Sequence, residues 1–131
     1  MTEPLFLDVE DILYIHRCEV ERSGGDLSLR DRDALEAAAA APLVTHGGEY
    51  LFDLFNMAAA YLVAIAVRHP FLDGNKRAAA ASALTFLFLN GYDITERHPE
   101  ELADAVLDLL SKKMDREELG RWFRERATER E

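Results

Sequence analysis

Cysteine is nearly absent from this sequence of 131 residues. The single cysteine, Cys18, excludes an internal disulfide framework and a zinc site built from several cysteines. Because Cys18 falls within a helix-like pattern, we expect it to be a small core or half-buried residue without a redox role.

Long apolar segments and targeting signals are also lacking. The initial stretch MTEPLFLDVED has no basic region followed by an apolar run, as a secretory signal would. The longest uncharged runs, 54–67 and 78–92, are shorter than the ~20 apolar residues that a membrane-spanning helix requires, and a charged loop divides them. We therefore expect a cytoplasmic protein that does not enter membranes.

Positive charge is scarce, with 15 Lys and Arg against 25 Asp and Glu and a net charge of −10. This excess of acid argues against broad binding to DNA or RNA. The segment from Arg68 to Arg77 differs, since Asp73 is its only acidic residue. Such a local surplus of positive charge fits a small anionic ligand, although uneven surface charge alone would give the same composition.

Helix-forming patterns are present almost throughout. The hydrophobic content of 49% excludes a disordered chain, and the length fits one domain, residues 1–131, without a linker. We predict an all-α fold, a compact bundle of about six helices. Five of them carry start or stop signals. These signals are Asp8 with Asp11 and then Gly24–Gly25 for the first helix, Asp31 or Ser28 and Pro42 for the second, Gly91 for the fourth, Pro99 or Glu100 and Lys112 for the fifth, and Asp115 with Glu118 for the sixth.

The third and fourth predicted helices, about 51–67 and 76–90, are apolar on nearly all faces, which is typical of buried helices. The THGGEY stretch, 45–50, reads as a mobile loop because it contains two glycines. Residues 5–7 and 92–94 have the pattern of short strands.

The stretch HPFLDGNKR, His69 to Arg77, joins the two central helices. The first backbone N–H groups of the fourth helix have no partners within the helix and lie at the positive end of its dipole, which favours phosphate. Gly74 allows a sharp turn there. Lys76 and Arg77 add positive charge, and an arginine binds phosphate oxygens through two nitrogens.

Two further side chains in this stretch indicate chemistry. Asp73 offers a carboxylate suited to Mg²⁺ that is shared with substrate phosphates. His69 offers an imidazole able to accept a proton at neutral pH. Singly, each residue is also common at ordinary helix ends and turns. Together with the phosphate-binding groups they indicate phosphoryl or nucleotidyl transfer.

HPFLDGNKR resembles the signature of the Fic/Doc family, His-x-Phe-x-Asp/Glu-Gly/Ala-Asn followed by Gly-Arg or Lys-Arg. Its Lys-Arg ending, the preceding YLVAIAVR and the earlier GGDLSLRDRDALEAA are similar to the death-on-curing (Doc) branch. The resemblance spans about residues 5–125 and implies a compact all-α fold. It also implies a role for each residue of the loop: His69 as the base, Asp73 as the Mg²⁺ ligand, Asn75, Lys76 and Arg77 as contacts to the phosphates of ATP, Gly74 as a backbone contact and Phe71 as the hydrophobic anchor.

Two positions depart from the pattern of the adenylylating Fic proteins. Lys76 stands where those proteins have glycine, and Ala80 stands where they have a second arginine. Lysine fills space that glycine leaves open for a phosphate, and Ala80 supplies no guanidinium group. The resemblance to Doc therefore implies reversed ATP binding and transfer of the γ-phosphate to a threonine of elongation factor Tu. It also implies a Phd-like antitoxin as partner, docking a helix in an apolar groove.

Two rival hypotheses stay open at this point. One is a Fic-type AMP transferase, which Lys76 and Ala80 disfavour. The other is a non-catalytic helical binding module, which the intact set of His69, Asp73, Asn75 and Arg77 argues against. Neither a P-loop nor the motifs of ordinary protein kinases occur in the sequence, so phosphate handling depends on residues 69–77. The 45–50 segment is a candidate flap for aligning the target.

Overall fold

The computed structural model describes residues 3–131 and confirms the all-α prediction. In this part of the chain, six helices are accompanied by four very short strands. The helices are α1 (Val9–Ser23), α2 (Arg32–Ala40), α3 (Leu54–Arg68), α4 (Asn75–Leu89), α5 (Glu101–Leu110) and α6 (Arg116–Arg126). The strands are β1 (Thr45–His46), β2 (Glu49–Tyr50), β3 (Tyr92–Ile94) and β4 (Ala127–Glu129).

Capping carboxylates are present at the starts of α1, α2 and α6, where the sequence placed them, whereas the Glu100 side chain makes no capping bond at the start of α5. A reciprocal capping box closes the start of α1 between Asp8 and Asp11, and a second one closes α6. Of the two candidates for α2, Asp31 is the cap, since its carboxylate accepts a hydrogen bond of 3.1 Å from the N–H of Ala34. Side-chain oxygens at these positions satisfy N–H groups that the helix itself leaves unpaired.

Helix α3 begins three residues later than the apolar pattern predicted. Asp53 is its cap and accepts a hydrogen bond of 2.8 Å from the N–H of Asn56. Leu51 and Phe52, although apolar, precede the helix. The capping carboxylate, rather than the first apolar residue, therefore sets the start of α3.

The prediction of an irregular loop at 45–50 is wrong, because β1 and β2 form an antiparallel hairpin. Gly47 and Gly48 both have positive φ angles, 61° and 84°. Two such residues match the tight turn whose twist suits a two-residue hairpin. The two glycines thus form the turn that joins β1 to β2.

Of the two predicted strands, residues 92–94 are confirmed and residues 5–7 are not. Tyr92–Ile94 pairs with Ala127–Glu129, a partner that the sequence did not reveal. In the 5–7 segment, backbone groups bond to side chains instead: Leu7 N–H donates to the Tyr61 hydroxyl, and Leu5 N–H donates to Asn90. No neighbouring strand among the described residues is available to it.

Helix α3 lies at the centre of the core and contacts α2, α4 and α6. Its predicted burial is confirmed over most of its length. Small residues on α4, among them Ala78, Ala79 and Ala83, are fully buried and allow the two helices to approach closely. The far end of α4 is not buried as predicted: Phe88 is 47% exposed, and the Arg130 guanidinium lies over its ring at 4.1 Å.

Cys18 is exposed, which corrects the expectation of a core position. The buried residues of α1 are Ile12, His16 and Val20, spaced four apart on one face. Cys18 lies two residues from His16, on the opposite side of the helix. Over residues 3–131, none of the helices has the length and apolar character needed to cross a membrane.

Candidate active site

The predicted site is the connection between α3 and α4, residues 69–74. His69 follows the last turn of α3 and has a left-handed backbone conformation, with φ 52° and ψ 60°. Its N–H group donates a hydrogen bond of 3.2 Å to the carbonyl oxygen of Ile65. The residue is exposed to solvent, so its imidazole is accessible to a substrate hydroxyl.

The start of α4 is open to an anion. Gly74 precedes the helix with φ 79°, and among residues 3–131 no side chain caps the first N–H groups. Unpaired N–H groups at the positive end of a helix dipole bind phosphate readily. Lys76 is exposed and Arg77 is half-buried in the same first turn. The structure thus brings the predicted phosphate-binding groups together at one helix end.

Asp73 lies between this helix end and the segment that follows α1. Its carboxylate accepts one hydrogen bond of 2.8 Å from the N–H of Gly74 and a longer one of 3.3 Å from the N–H of Asp26. Within the described part of the chain, no three acidic, histidine or cysteine residues form a metal-binding group. A single carboxylate fits a Mg²⁺ ion that takes its other ligands from phosphates and water, rather than a cage made by protein alone.

Asn75 is buried, and both polar atoms of its side chain are bonded to the backbone of Phe71. Its carbonyl oxygen accepts from the Phe71 N–H at 3.0 Å, and its amide nitrogen donates to the Phe71 carbonyl at 2.8 Å. These two bonds close the loop on itself. The phosphate contact expected of Asn75 therefore falls to its backbone N–H, and that contact stays a prediction.

Phe71 is the anchor that the sequence predicted, since it is 1% exposed. Its ring stacks on the imidazole of His16, with ring centres 3.6 Å apart. The His16 Nε2 atom lies 2.7 Å from the carbonyl oxygen of Asp73. A carbonyl only accepts hydrogen bonds, so Nε2 carries the proton. His16 therefore fixes the loop through both Phe71 and Asp73, a role that the sequence analysis did not predict.

The segment 24–29 covers the other side of the loop. The Arg77 guanidinium donates to the Gly24 carbonyl oxygen at 3.0 Å, and the Leu72 N–H donates to the Ser28 carbonyl oxygen at 3.0 Å. Leu29 and Phe71 form an isolated antiparallel bridge. The sequence offered only a weak signal for this arrangement, the presence of GGDLSLRD, because partners such as Asp26 and Asp73 or Gly24 and Arg77 lie 47 and 53 residues apart in the chain.

A cavity of about 340 Å³ adjoins the N-terminal end of α4. Lys76, Arg77 and Ala80 form one side of it, and residues of α5 such as Leu102 form the other. The two positions that differ from the adenylylating Fic pattern, Lys76 and Ala80, therefore line the same space.

Two further histidines of the sequence lie outside this loop. His46 is on the hairpin and His98 precedes α5, and both are exposed. The hairpin contributes to a separate, larger cavity of about 910 Å³, together with the N-terminal segment and the end of α4. Its role as a flap stays a prediction.

These elements have defined chemical capacities. The loop and the first turn of α4 present an accessible imidazole, an exposed carboxylate, uncapped backbone N–H groups and two cationic side chains. Such a set can hold a phosphate chain, neutralise its charge and remove a proton from an attacking hydroxyl.

Comparison with known proteins agrees with this reading. A model of the Fic/DOC family matches residues 6–87, a range that contains the loop and both segments that hold it. The chain is 38% identical to Toxin Doc of Mycolicibacterium smegmatis over 109 residues, which covers 82% of this chain and 80% of that protein. It is also 38% identical to Protein kinase doc of Escherichia phage P1 over 98 residues, 75% of this chain and 76% of the phage protein. With this loop, this helical fold and these matches, the chain belongs to the Fic/Doc family.

Proposed function

We propose that this protein is a Doc-type toxin acting as an ATP-dependent protein kinase. Its relatives named as a toxin and as a protein kinase support the class. The observation that carries the proposal is the uncapped start of α4, which lies beside Asp73, Lys76 and Arg77. The exposed histidine, His69, precedes Asp73 by four residues in the same loop. The substrate hydroxyl belongs to Ser or Thr, and elongation factor Tu is the target that the Doc resemblance implies.

In the proposed reaction His69 accepts the proton of the target hydroxyl. The hydroxyl oxygen forms a bond to the γ-phosphorus of ATP, the bond from that phosphorus to the bridging oxygen breaks, and ADP leaves. The protein contributes mainly position and charge, as is usual in phosphoryl transfer. The N–H groups of α4 and the side chains of Lys76 and Arg77 hold and neutralise the phosphate oxygens.

Asp73 is the residue that holds Mg²⁺ in this proposal. When bound there, the ion would neutralise negative charge that develops on the phosphate during transfer. The carboxylate is kept in place by the N–H groups of Gly74 and Asp26, so its orientation is set before a nucleotide arrives.

Lys76 and Ala80 favour transfer of phosphate over transfer of AMP. Both line the cavity beside the α4 N-terminus, where lysine takes up room and alanine supplies no second guanidinium. An AMP transferase remains the rival that the experiment below distinguishes.

The toxin relative also supports an antitoxin as partner. We propose a Phd-like antitoxin, encoded beside this protein, that restrains its activity. Residues 1–131 act in this proposal as one Fic/Doc domain.

One experiment separates the candidate activities. The protein is incubated with elongation factor Tu and ATP labelled at either the α or the γ phosphorus. We expect label on the factor only from γ-labelled ATP. Transfer of α label would establish an AMP transferase, and absence of label on this factor and on every protein of a cell lysate would favour a binding module.

The matched control uses two histidines that each precede a proline. His69→Ala is expected to abolish γ-phosphate transfer and growth arrest, whereas His98→Ala, an exposed residue outside the loop, is expected to retain both. Circular dichroism should show the same helix content in both variants. A fully active His69→Ala protein would remove the proposed base.

A further inference from the structure

We propose that Arg30 is a positioning residue that orients the His69 imidazole. The inference rests on the proposed function in taking His69 as the base, but the arrangement itself is independent of any nucleotide. Arg30 lies in the connection between α1 and α2, about 40 residues before the histidine.

The Arg30 guanidinium caps the end of α3. Its Nε–H donates to the His69 carbonyl oxygen at 2.6 Å, and its Nη2 donates to the Arg68 carbonyl oxygen at 2.7 Å. The backbone N–H groups of Arg30 and Asp31 both donate to the Pro70 carbonyl oxygen, at 2.8 and 3.0 Å. Three successive carbonyl groups around His69 are therefore bonded to two adjacent residues.

These bonds stabilise an unfavourable backbone conformation at His69. A non-glycine residue in the left-handed region carries strain, and such residues persist only where their surroundings hold them. The last carbonyls of a helix also lack partners within it. The planar fork of an arginine places two N–H donors side by side, which matches two consecutive carbonyl oxygens. Because the backbone of His69 is fixed in this way, so is the direction in which its side chain leaves the loop.

Pairing with an acid does not explain the position of Arg30. Its closest carboxylate oxygen, on Asp31, is 4.0 Å away, and both side chains are more than 40% exposed. An exposed pair at that separation contributes little. The shorter bonds to Arg68 and His69 carbonyl groups are the dominant interaction.

The test compares Arg30→Met, which keeps side-chain length but removes every donor, with Arg32→Met as a matched control. The Arg32 side chain is similarly exposed, at 53% against 46% for Arg30, and its one ion pair within residues 3–131 is with Glu36 on the same helix. We expect Arg30→Met to lower kcat at least ~10-fold, since small misplacement of a reacting group is costly, while KM for ATP stays within ~2-fold. Arg32→Met should match the unaltered protein in both constants.

NMR of the His69 backbone and ring supplies a readout that does not depend on activity. In Arg30→Met the His69 carbon shifts should move away from the left-handed conformation, and in Arg32→Met they should not. Arg30→Lys, which keeps the charge without the paired donors, should fall between them in kcat and in shift. It also serves as the second variant should Arg30→Met unfold.

His69 shifts and kcat that are unchanged in both Arg30 variants would overturn the proposal. If no phosphate transfer is found for the unaltered protein, the proposed function fails, and the NMR comparison still decides whether Arg30 holds His69. Moved His69 shifts with unaltered kcat would refute the positioning role for catalysis.

Discussion

Individual residues decide whether the loop from His69 to Gly74 can form, and Gly25 is the clearest case. A Cβ atom at this position would lie 2.8 Å from the Asp73 Oδ2 atom and 3.3 Å from the Arg77 Nη2 atom. Its φ of 128° is also one that other residues rarely adopt. Asp73, the proposed magnesium ligand, and Arg77, a proposed phosphate ligand, thus lie close to the backbone of Gly25. Their closeness leaves no room for a side chain at position 25.

Gly25→Ala should therefore impair the site more than Gly24→Ala. Gly24 also has a positive φ, 86°, but a Cβ atom there meets nothing within 4 Å. Backbone strain costs each variant about 1–3 kcal/mol in the free energy of unfolding. Only Gly25→Ala displaces Asp73 as well, so only this variant should need more Mg²⁺ for half-maximal phosphate transfer. Urea unfolding and a magnesium titration measure the two effects, and equal magnesium requirements would contradict the contact.

Some residues of the site could be predicted from the sequence and others could not, and the difference lies in how far each residue is from its contacts along the chain. The roles proposed for His69, Asp73 and Gly74 follow from the chemistry of the short stretch of sequence that contains them. Arg30 and His16 act on residues about 40 and 57 positions away, so no spacing rule points to them. The sequence does indicate that His16 is buried, because it lies four residues from both Ile12 and Val20 on the apolar face of α1.

At the scale of elements, the turn joining α3 to α4 is held by the Asn75 side chain. Asn75→Ala leaves the N–H and carbonyl groups of Phe71 without their partners in a buried place. We expect a loss of about 2 kcal/mol or more in the free energy of unfolding. Phosphate transfer should fall as well, because the loop carrying Asp73 is released.

Asn90 offers a control with the same bonding pattern. Its side chain bonds both to the N–H and to the carbonyl group of Leu5, but in an exposed place where water replaces the lost partners. The Asn90 amide also donates to the Phe86 carbonyl oxygen of α4 at 2.8 Å. Asn90→Ala should cost about 1 kcal/mol or less. Equal losses from the two variants, measured by urea unfolding, would show that burial of Phe71 does not matter here.

Asp53 combines two contributions at the start of α3. Its carboxylate caps the helix and also contacts the Arg124 guanidinium of α6. Asp53→Ala should lower the free energy of unfolding by about 1–2 kcal/mol, mostly through loss of the cap. Asp53→Asn keeps a capping oxygen and removes only the charge pair, which is exposed, so it should cost less. A larger loss in Asp53→Asn than in Asp53→Ala would be inconsistent with the cap.

The elements also show what limits prediction from sequence. Asp8 and Asp115 are recognised because cap and partner lie three residues apart. Strand β4 has no such signal, since its pairing partner is β3, more than 30 residues earlier. The hairpin at 45–50 was missed because two glycines indicate a turn without indicating that strands flank it.

For the molecule as a whole, Tyr61 of α3 joins the central helix to the N-terminal segment. Its hydroxyl accepts from the Leu7 N–H at 2.9 Å and donates to the Leu7 carbonyl oxygen at 3.1 Å. Burial raises the pKa of Tyr61 to about 12, from an ordinary value of 10.0. Above pH 10 the unfolded chain loses this proton while the folded protein retains it.

The contribution of Tyr61 to stability is thus complete below pH 10 and is lost as pH rises towards 12. Tyr61→Phe should be less stable than the unaltered protein at pH 8, by about 1–3 kcal/mol, because the Leu7 N–H loses its acceptor. Between pH 10 and 12 the difference between the two proteins should shrink. Urea unfolding at several pH values measures this, and a constant difference would contradict the raised pKa.

The contacts that hold the 69–74 loop also matter for a nascent chain leaving the ribosome. His69 is synthesised before α4, its backbone is bonded to residues 30–31, and residues 72–77 are bonded to residues 16, 24 and 28. No partial translation product that ends before residue 77 contains all of these contacts. The proposed activity therefore requires a chain that extends at least to residue 77, because the contact between Arg77 and Gly24 cannot form in a shorter one.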